Sequence, residues 1–177
     1  MDKKFLMIQV NKKVYKALSE PLCKGLDFQS IQDIVTSCKE LSFIDLSYTN
    51  ISQDSLDFIA SNLTEKIETL YLSALDNIQD EHINILVRRC YKIATLEINY
   101  NTDVTNNSLA SIIENLKPTL VKLSVNNTNV NYAKLLEMKS MPKLKSLNCL
   151  HLHSEEIDHL QKQLPHIRIE KESANFL

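Results

Sequence analysis

Two histidines one residue apart, His151 and His153, with His159 following, are the only spacing in this 177-residue chain that resembles a metal site. In an extended segment, imidazoles at i and i+2 share a face, but a bound metal needs further donors beside them. No third ligand of suitable type lies at a recognised spacing, and none of the five histidines sits in an H-E-x-x-H arrangement. The histidines are therefore expected to be ordinary surface residues. Nucleophile chemistry fares no better, since no Ser-His-Asp or Cys-His pair can be argued from spacing. The single glycine, Gly25, removes phosphate-cradling loops, dinucleotide-binding turns and nucleophile elbows, each of which needs several glycines where the backbone turns sharply or meets a ligand. The expectation is a chain that is not an enzyme and that has neither cofactor nor metal.

Charge narrows the partners. Twenty basic and 22 acidic residues leave a net charge of −2, which gives the chain no overall attraction to nucleic acid or to an anionic membrane. Lys3 and Lys4 precede the apolar run Phe5-Leu6-Met7-Ile8, which is too short for a signal-peptide core. No stretch approaches the ~20 apolar residues of a membrane helix. The expected location is the cytoplasm or nucleus, where the four cysteines would be reduced. The N-glycosylation sequons at Asn50, Asn62, Asn106 and Asn126 would then be idle.

The elements come from an internal repeat. The pattern L-x-x-L-x-L occurs as Leu41/Ile44/Leu46, Ile67/Leu70/Leu72, Ile93/Leu96/Ile98, Leu120/Leu123/Val125, Leu144/Leu147/Cys149 and Leu164/Ile167/Ile169, at steps of 26, 26, 27, 24 and 20 residues. An apolar marker follows each strand: Ile51, Ile78, Val104, Val130 and Leu152, with Leu26 one unit earlier. Between them lie helical faces at i, i+3, i+4 and i+7, as in Leu56/Ile59/Ala60/Leu63, Ile83/Leu86/Val87/Cys90 and Leu109/Ile112/Ile113/Leu116, with Ile31/Ile34/Val35/Cys38 upstream. Ser52-Gln53-Asp54, Gln79-Asp80-Glu81, Thr105-Asn106-Asn107 and Ser154-Glu155-Glu156 are predicted to cap the helices. The unit from Leu120 is weaker, with only Leu135 and Met138 on its helix face.

These features predict an α/β leucine-rich-repeat solenoid, a horseshoe of about six repeats with short parallel strands on the concave face and helices on the convex face. The repeat domain is expected over residues 30–169, after a degenerate capping segment at 1–29 and before a short polar tail at 170–177. Glu20 and Pro21 break the pattern near Lys16 to Leu22, and Phe5/Ile8/Val10 is predicted to be a displaced strand over the open end. Cys38 and Cys90, two repeats apart, and Cys149 at a leucine position are expected to be buried packing residues. Asn-rich turns such as Asn99-Tyr100-Asn101-Thr102-Asp103 and Asn126-Asn127-Thr128-Asn129 are expected to replace glycine by bonding their own backbone and accepting unusual turn angles.

A solenoid offers a tiled surface. Side chains alternate along a strand, so the residues between the apolar members project from the concave face. One outward row is expected to read Asp45, Tyr71, Glu97, Ser124, Asn148 and Arg168, and beside it Phe43, Thr69, Thr95, Lys122, Ser146 and His166. Tyr48, Ala74, Tyr100, Asn127 and His151 lie at the edge where the chain leaves the strands. Tyrosine buries a ring against a partner and still satisfies its hydroxyl. The candidate partner-binding residues are therefore Phe43, Asp45, Tyr48, Tyr71, Glu97 and Tyr100, an aromatic and acidic patch, with Lys122 and Arg168 as a thinner basic one.

Leu86-Val87-Arg88-Arg89-Cys90 before a repeat anchor, the cysteine-type helix ends, and Leu164-Pro165-His166-Ile167-Arg168-Ile169 resemble the leucine-rich-repeat part of F-box proteins, from roughly Ser30 to Ile169. The resemblance implies the substrate-recognition repeats of an SCF-type ubiquitin-ligase receptor, which hold a protein target, phosphorylated in some members, for ubiquitin-dependent degradation linked to the cell cycle. A ligase adaptor would be a partner if an F-box lies upstream, because the residues before Ser30 are too few and lack its helical pattern. The alternative is a free-standing leucine-rich-repeat scaffold or inhibitor without ligase function.

Overall fold

A single strand-and-helix unit cannot enclose its own apolar residues, so each must stack on a neighbour. The computed structural model describes residues 6–10, 13–17, 27–38 and 40–170, the first two stretches as backbone. Cys23, Gly25, Leu26, the Glu20-Pro21 break and the tail beyond Glu170 lie outside the described residues. The chain opens with an antiparallel hairpin, β1 (Leu6–Val10) and β2 (Lys13–Ala17), followed by helix α1 (Phe28–Ser37). Strand β1 also pairs antiparallel with β3 (Leu41–Asp45). A strand therefore stands where Ile8 and Val10 predict one, and β2 extends the sheet beyond it.

From β3 onward six strands run parallel in chain order. They continue as β4 (Thr69–Tyr71), β5 (Thr95–Glu97), β6 (Lys122–Ser124), β7 (Ser146–Asn148) and β8 (Arg168–Ile169), each next to the last. The connecting helices are α2 (Gln53–Asn62), α3 (Asp80–Arg89), α4 (Asn106–Leu116), α5 (Tyr132–Leu135) and α6 (Ser154–Gln163). In the shorter fourth unit α5 is a single turn that tightens into a 3-10 helix at Leu136–Ser140, which still buries Leu135 and Met138. Helices are wider than strands, so the sheet takes the inner side of the curve.

Every apolar member of the six strand motifs is buried, Leu41 being among the least covered at 4% exposure. The markers Ile51, Ile78, Val104 and Val130 are buried as well, whereas Leu152 is half-buried. On α1 only Ile31 is fully buried, while Ile34, Val35 and Cys38 pack in part, because this helix ends the described stack with α2 as its one helical neighbour. Cys38 is thus not the buried equivalent of Cys90 that the repeat predicts; both close a helix, but only Cys90 has a further coil on each side.

Polar residues join the coils to one another. Ser47 Oγ accepts the Ser73 N–H, Ser73 Oγ the Asn99 N–H, Asn99 Oδ1 the Asn126 N–H, and Asn126 Oδ1 the Leu150 N–H. The turn asparagines therefore bond the neighbouring coil rather than their own backbone, a correction to the sequence expectation. Buried Asn101 does both, accepting from Leu75 N and donating through Nδ2 to Leu72 O and Ile98 O, each at 2.9 Å. Behind the sheet, Asp80 at the start of α3 accepts from the backbone and hydroxyls of Thr105 and Ser108, at 2.5–3.2 Å, tying α3 to α4.

The predicted caps hold at Ser52 and Thr105, whose hydroxyls accept first-turn N–H groups. Helix α3 is capped at Gln79 as expected, in a capping box with buried His82: the Gln79 side chain accepts the His82 N–H, and His82 Nδ1 accepts the Gln79 N–H, which leaves Nε2 to donate to Asp57 on α2. Helix α6 has its N-cap one residue ahead of the predicted run, at His153, whose N–H donates to Glu156 Oε2.

Candidate protein-binding face

Parallel pairing fixes what stands beside what. Phe43, Thr69, Thr95, Lys122, Ser146 and Arg168 form one outward row, and Asp45, Tyr71, Glu97, Ser124 and Asn148 the next. Arg168 thus belongs beside Ser146 and not after Asn148, as the sequence spacing suggests. Strand β8 pairs two residues out of that spacing, with Ile169 opposite Leu147, because the last unit is shortened and its connection reaches the sheet later in the motif. A shift of two preserves which side faces out.

Within these rows the side chains meet. The Phe43 and Tyr71 rings pack edge to face at 5.4 Å and 80°, a geometry that matches one ring's positive edge to the other's negative face. Lys122 Nζ lies 3.0 Å from Glu97 Oε1. The basic patch expected apart from the acidic one is therefore half absorbed by it, and exposed Arg168 stands away from Lys122 with Ser146 between them. Asp45 Oδ1 accepts the Ser47 N–H, holding this carboxylate where β3 ends.

These contacts shift the titrating groups. Burial, then the negative charge of Glu97 and Asp45, moves the Tyr71 phenol above its ordinary value against an opposing effect of Lys122. Tyr48 moves the same way, first through burial and then through Tyr100, Glu97 and Asp45. The hydrogen bond to Glu97 raises Lys122, so the ammonium is retained. Burial pushes the Cys90 and Cys149 thiols up to about 12, which leaves both un-ionised at neutral pH.

The edge of the face carries a feature that spacing alone did not reveal. Tyr48, Ala74, Tyr100 and Asn127 all have left-handed backbone, with φ of 60°, 53°, 59° and 50°. For residues other than glycine this costs about 1–2 kcal/mol each. Tyr48, Ala74 and Tyr100 each donate their N–H to the next coil, at Ser73 O, Asn99 O and Asn126 O over 2.7–2.8 Å, which holds them there. Only Asn127 fits the expectation that asparagine would take the unusual angles. The one available signal was the recurrence of a single register position, and residue type hid it.

At the far end His151 Nε2 donates to Val130 O, while its Nδ1 and the Oδ1 of Asn148 are buried with no hydrogen-bond partner among the described residues. Exposed His153 caps α6, and His159 contacts Tyr132 between α5 and α6, so the three histidines serve separate structural contacts. No group of three or more His, Cys, Asp or Glu stands close enough to hold a metal among the described residues. No helix among them is long and apolar enough to cross a membrane.

Strands line the curve, their outward rows mix aromatic and charged residues, and a ladder of hydrogen bonds joins coil to coil. The family model described as the SKP2 LRR domain matches residues 2–176. The chain belongs to the SKP2 LRR domain family. No curated protein matches the chain. The match extends through the hairpin β1–β2 and past β8, so the SKP2 LRR domain takes in the antiparallel edge as well as the parallel coils. A domain of this family is a set of protein-interaction repeats, and its ligands are proteins.

Proposed function

We propose that this chain provides the substrate-recognition repeats of an SCF-type ubiquitin-ligase receptor, binding a target protein on its concave face and promoting its ubiquitin-dependent degradation in the cytoplasm or nucleus. The observation that carries this reading is the half-exposed cluster of Phe43, Tyr71, Glu97 and Lys122 at the centre of the inner sheet, in a domain of the SKP2 LRR family. Aromatic rings beside partly desolvated charges are what interface hot spots are made of. The chain supplies affinity and orientation, and bond-making chemistry falls to other subunits.

The ligase part of the reading is tested by co-precipitating the full-length gene product with the ligase adaptor. Recovery of the adaptor supports it; a full-length product that has no F-box and recovers no adaptor refutes it. Capture of the target by the chain, with and without phosphatase treatment of the target, reports whether phosphorylation is read.

A further inference from the structure

The left-handed ladder places two exposed tyrosines in a defined relation. Tyr48 and Tyr100 occupy one register position two coils apart, with Ala74 between them. Adjacent parallel strands are spaced by about 4.8 Å, so the two Cα positions stand about 10 Å apart. Because φ matches and each N–H is held by the next coil in the same way, the two Cα–Cβ bonds leave the edge in a common direction, and Ala74 contributes only a methyl between them. One flat group held between two rings needs ring planes about 7–8 Å apart, so a separation of about 10 Å admits such a group with room for it to settle against either ring. Tyr48 and Tyr100 are 54% and 53% exposed, more than Tyr71 deeper on the face, as expected for rings that nothing among the described residues covers.

The surrounding charge selects the occupant. Asp45 and Glu97 lie on the row directly inside this edge, on the same coils as Tyr48 and Tyr100. Both carboxylates, together with Tyr100, oppose ionisation of Tyr48 after burial, so the four groups share one local field. Lys122, the cation nearest to this row in the register, is engaged with Glu97. A negative field bordered by two aromatic faces attracts a cation, and a planar guanidinium fills a flat slot better than a compact ammonium does.

We propose that Tyr48, Ala74 and Tyr100 form a slot that receives an arginine side chain of the bound protein, with Asp45 supplying the countercharge beside the Glu97–Lys122 pair. The inference deepens the concave-face reading and rests on it: the slot is where a target's arginine would be read while the rest of the target lies across Tyr71 and Phe43.

The test uses the full chain and fluorescein-labelled hexa-arginine and hexa-lysine peptides, with binding read by anisotropy at physiological salt. Hexa-arginine is expected to bind at least about fivefold more tightly than hexa-lysine, and the Tyr48→Ala/Tyr100→Ala double variant to lose about tenfold for hexa-arginine. Ala74→Tyr fills the slot with a residue that the same backbone already accepts at positions 48 and 100, and should cause a similar loss. Tyr48→Phe/Tyr100→Phe, which keeps both rings, should bind like the natural chain, and thermal midpoints verify folding throughout. Equal binding of the two peptides, or hexa-arginine binding unchanged by both the double alanine and the Ala74→Tyr variants, overturns the proposal. Capture of the cellular target by a Tyr71→Ala variant separates this result from the parent reading. Peptide binding lost only in slot variants with capture unaffected by Tyr71→Ala removes the parent reading, and the converse removes the slot.

Discussion

Replacing Asn101 with alanine should destabilise the chain by about 3 kcal/mol, counted as three hydrogen bonds at roughly 1 kcal/mol each. In two of the coils a threonine satisfies the carbonyl three positions earlier: Thr49 Oγ1 donates to Leu46 O, and Thr128 Oγ1 to Val125 O. The second coil has Leu75 at this position, which has no donor to give. Asn101 makes up the deficit by serving Ile98 O in its own coil and Leu72 O in the second, and by accepting the Leu75 N–H. It is 3% exposed, so alanine leaves one N–H and two carbonyls without these partners in the interior. Asn101→Thr restores only the Ile98 contact and should cost about 2 kcal/mol, and Thr128→Val, which loses one bond, about 1 kcal/mol. Urea unfolding measures all three, with the denaturant dependence unchanged if unfolding stays cooperative. A loss below about 1 kcal/mol for Asn101→Ala, or an order other than Asn101→Ala, Asn101→Thr, Thr128→Val, would refute the idea that this side chain joins the two coils.

Asp80 gives a pH-dependent counterpart. Burial raises its pKa, but hydrogen bonds from Ser108 and Thr105 outweigh this and hold the carboxyl below the ordinary aspartate value. A depressed folded value contributes stability that is complete above the ordinary aspartate pKa of about 4 and is lost as pH falls through the lower folded value. Asp80→Asn should therefore be less stable than the natural chain at neutral pH, and the gap should close on acidification; a gap independent of pH in urea titrations contradicts this. In a Cys23→Ser background, Cys38 should react with a disulfide reagent in the native state, while Cys90 and Cys149, with pKa values near 12, react only on unfolding. Rapid native modification of three thiols would show that the coils at Cys90 and Cys149 open readily.

The solenoid was legible because burial follows a repeat: once L-x-x-L-x-L recurs with a helical face in phase, each leucine has one place to go. The concave rows follow from strand alternation up to Ser146, and they fail at Arg168. Spacing measured between apolar residues counts residues in the connection, whereas pairing is set by where the shortened last unit meets β7. Side-chain partners were not legible. Lys122 reads as basic surface until the register brings it onto Glu97, and His82, expected at the surface with the other histidines, is buried because its ring joins the Gln79 N–H of α3 to Asp57 of α2. The left-handed edge was hidden for a different reason. A residue held by an inter-coil hydrogen bond need not be of the type that prefers the conformation, so Tyr48, Ala74 and Tyr100 gave no local sign of it.

Quantitative capture of the target by the full chain tests the central claim most directly, comparing Tyr71→Ala and Glu97→Ala on the inner sheet with Glu114→Ala on the outer helix α4. Tyr71 and Glu97 are half-buried at the centre of the face, and each should weaken capture by about tenfold, a loss of roughly 1.4 kcal/mol, with the thermal midpoint nearly unchanged and Glu114→Ala without effect. Capture unaltered by both inner-sheet substitutions but weakened by the substitution on α4 would place the interface on the convex side and contradict the account.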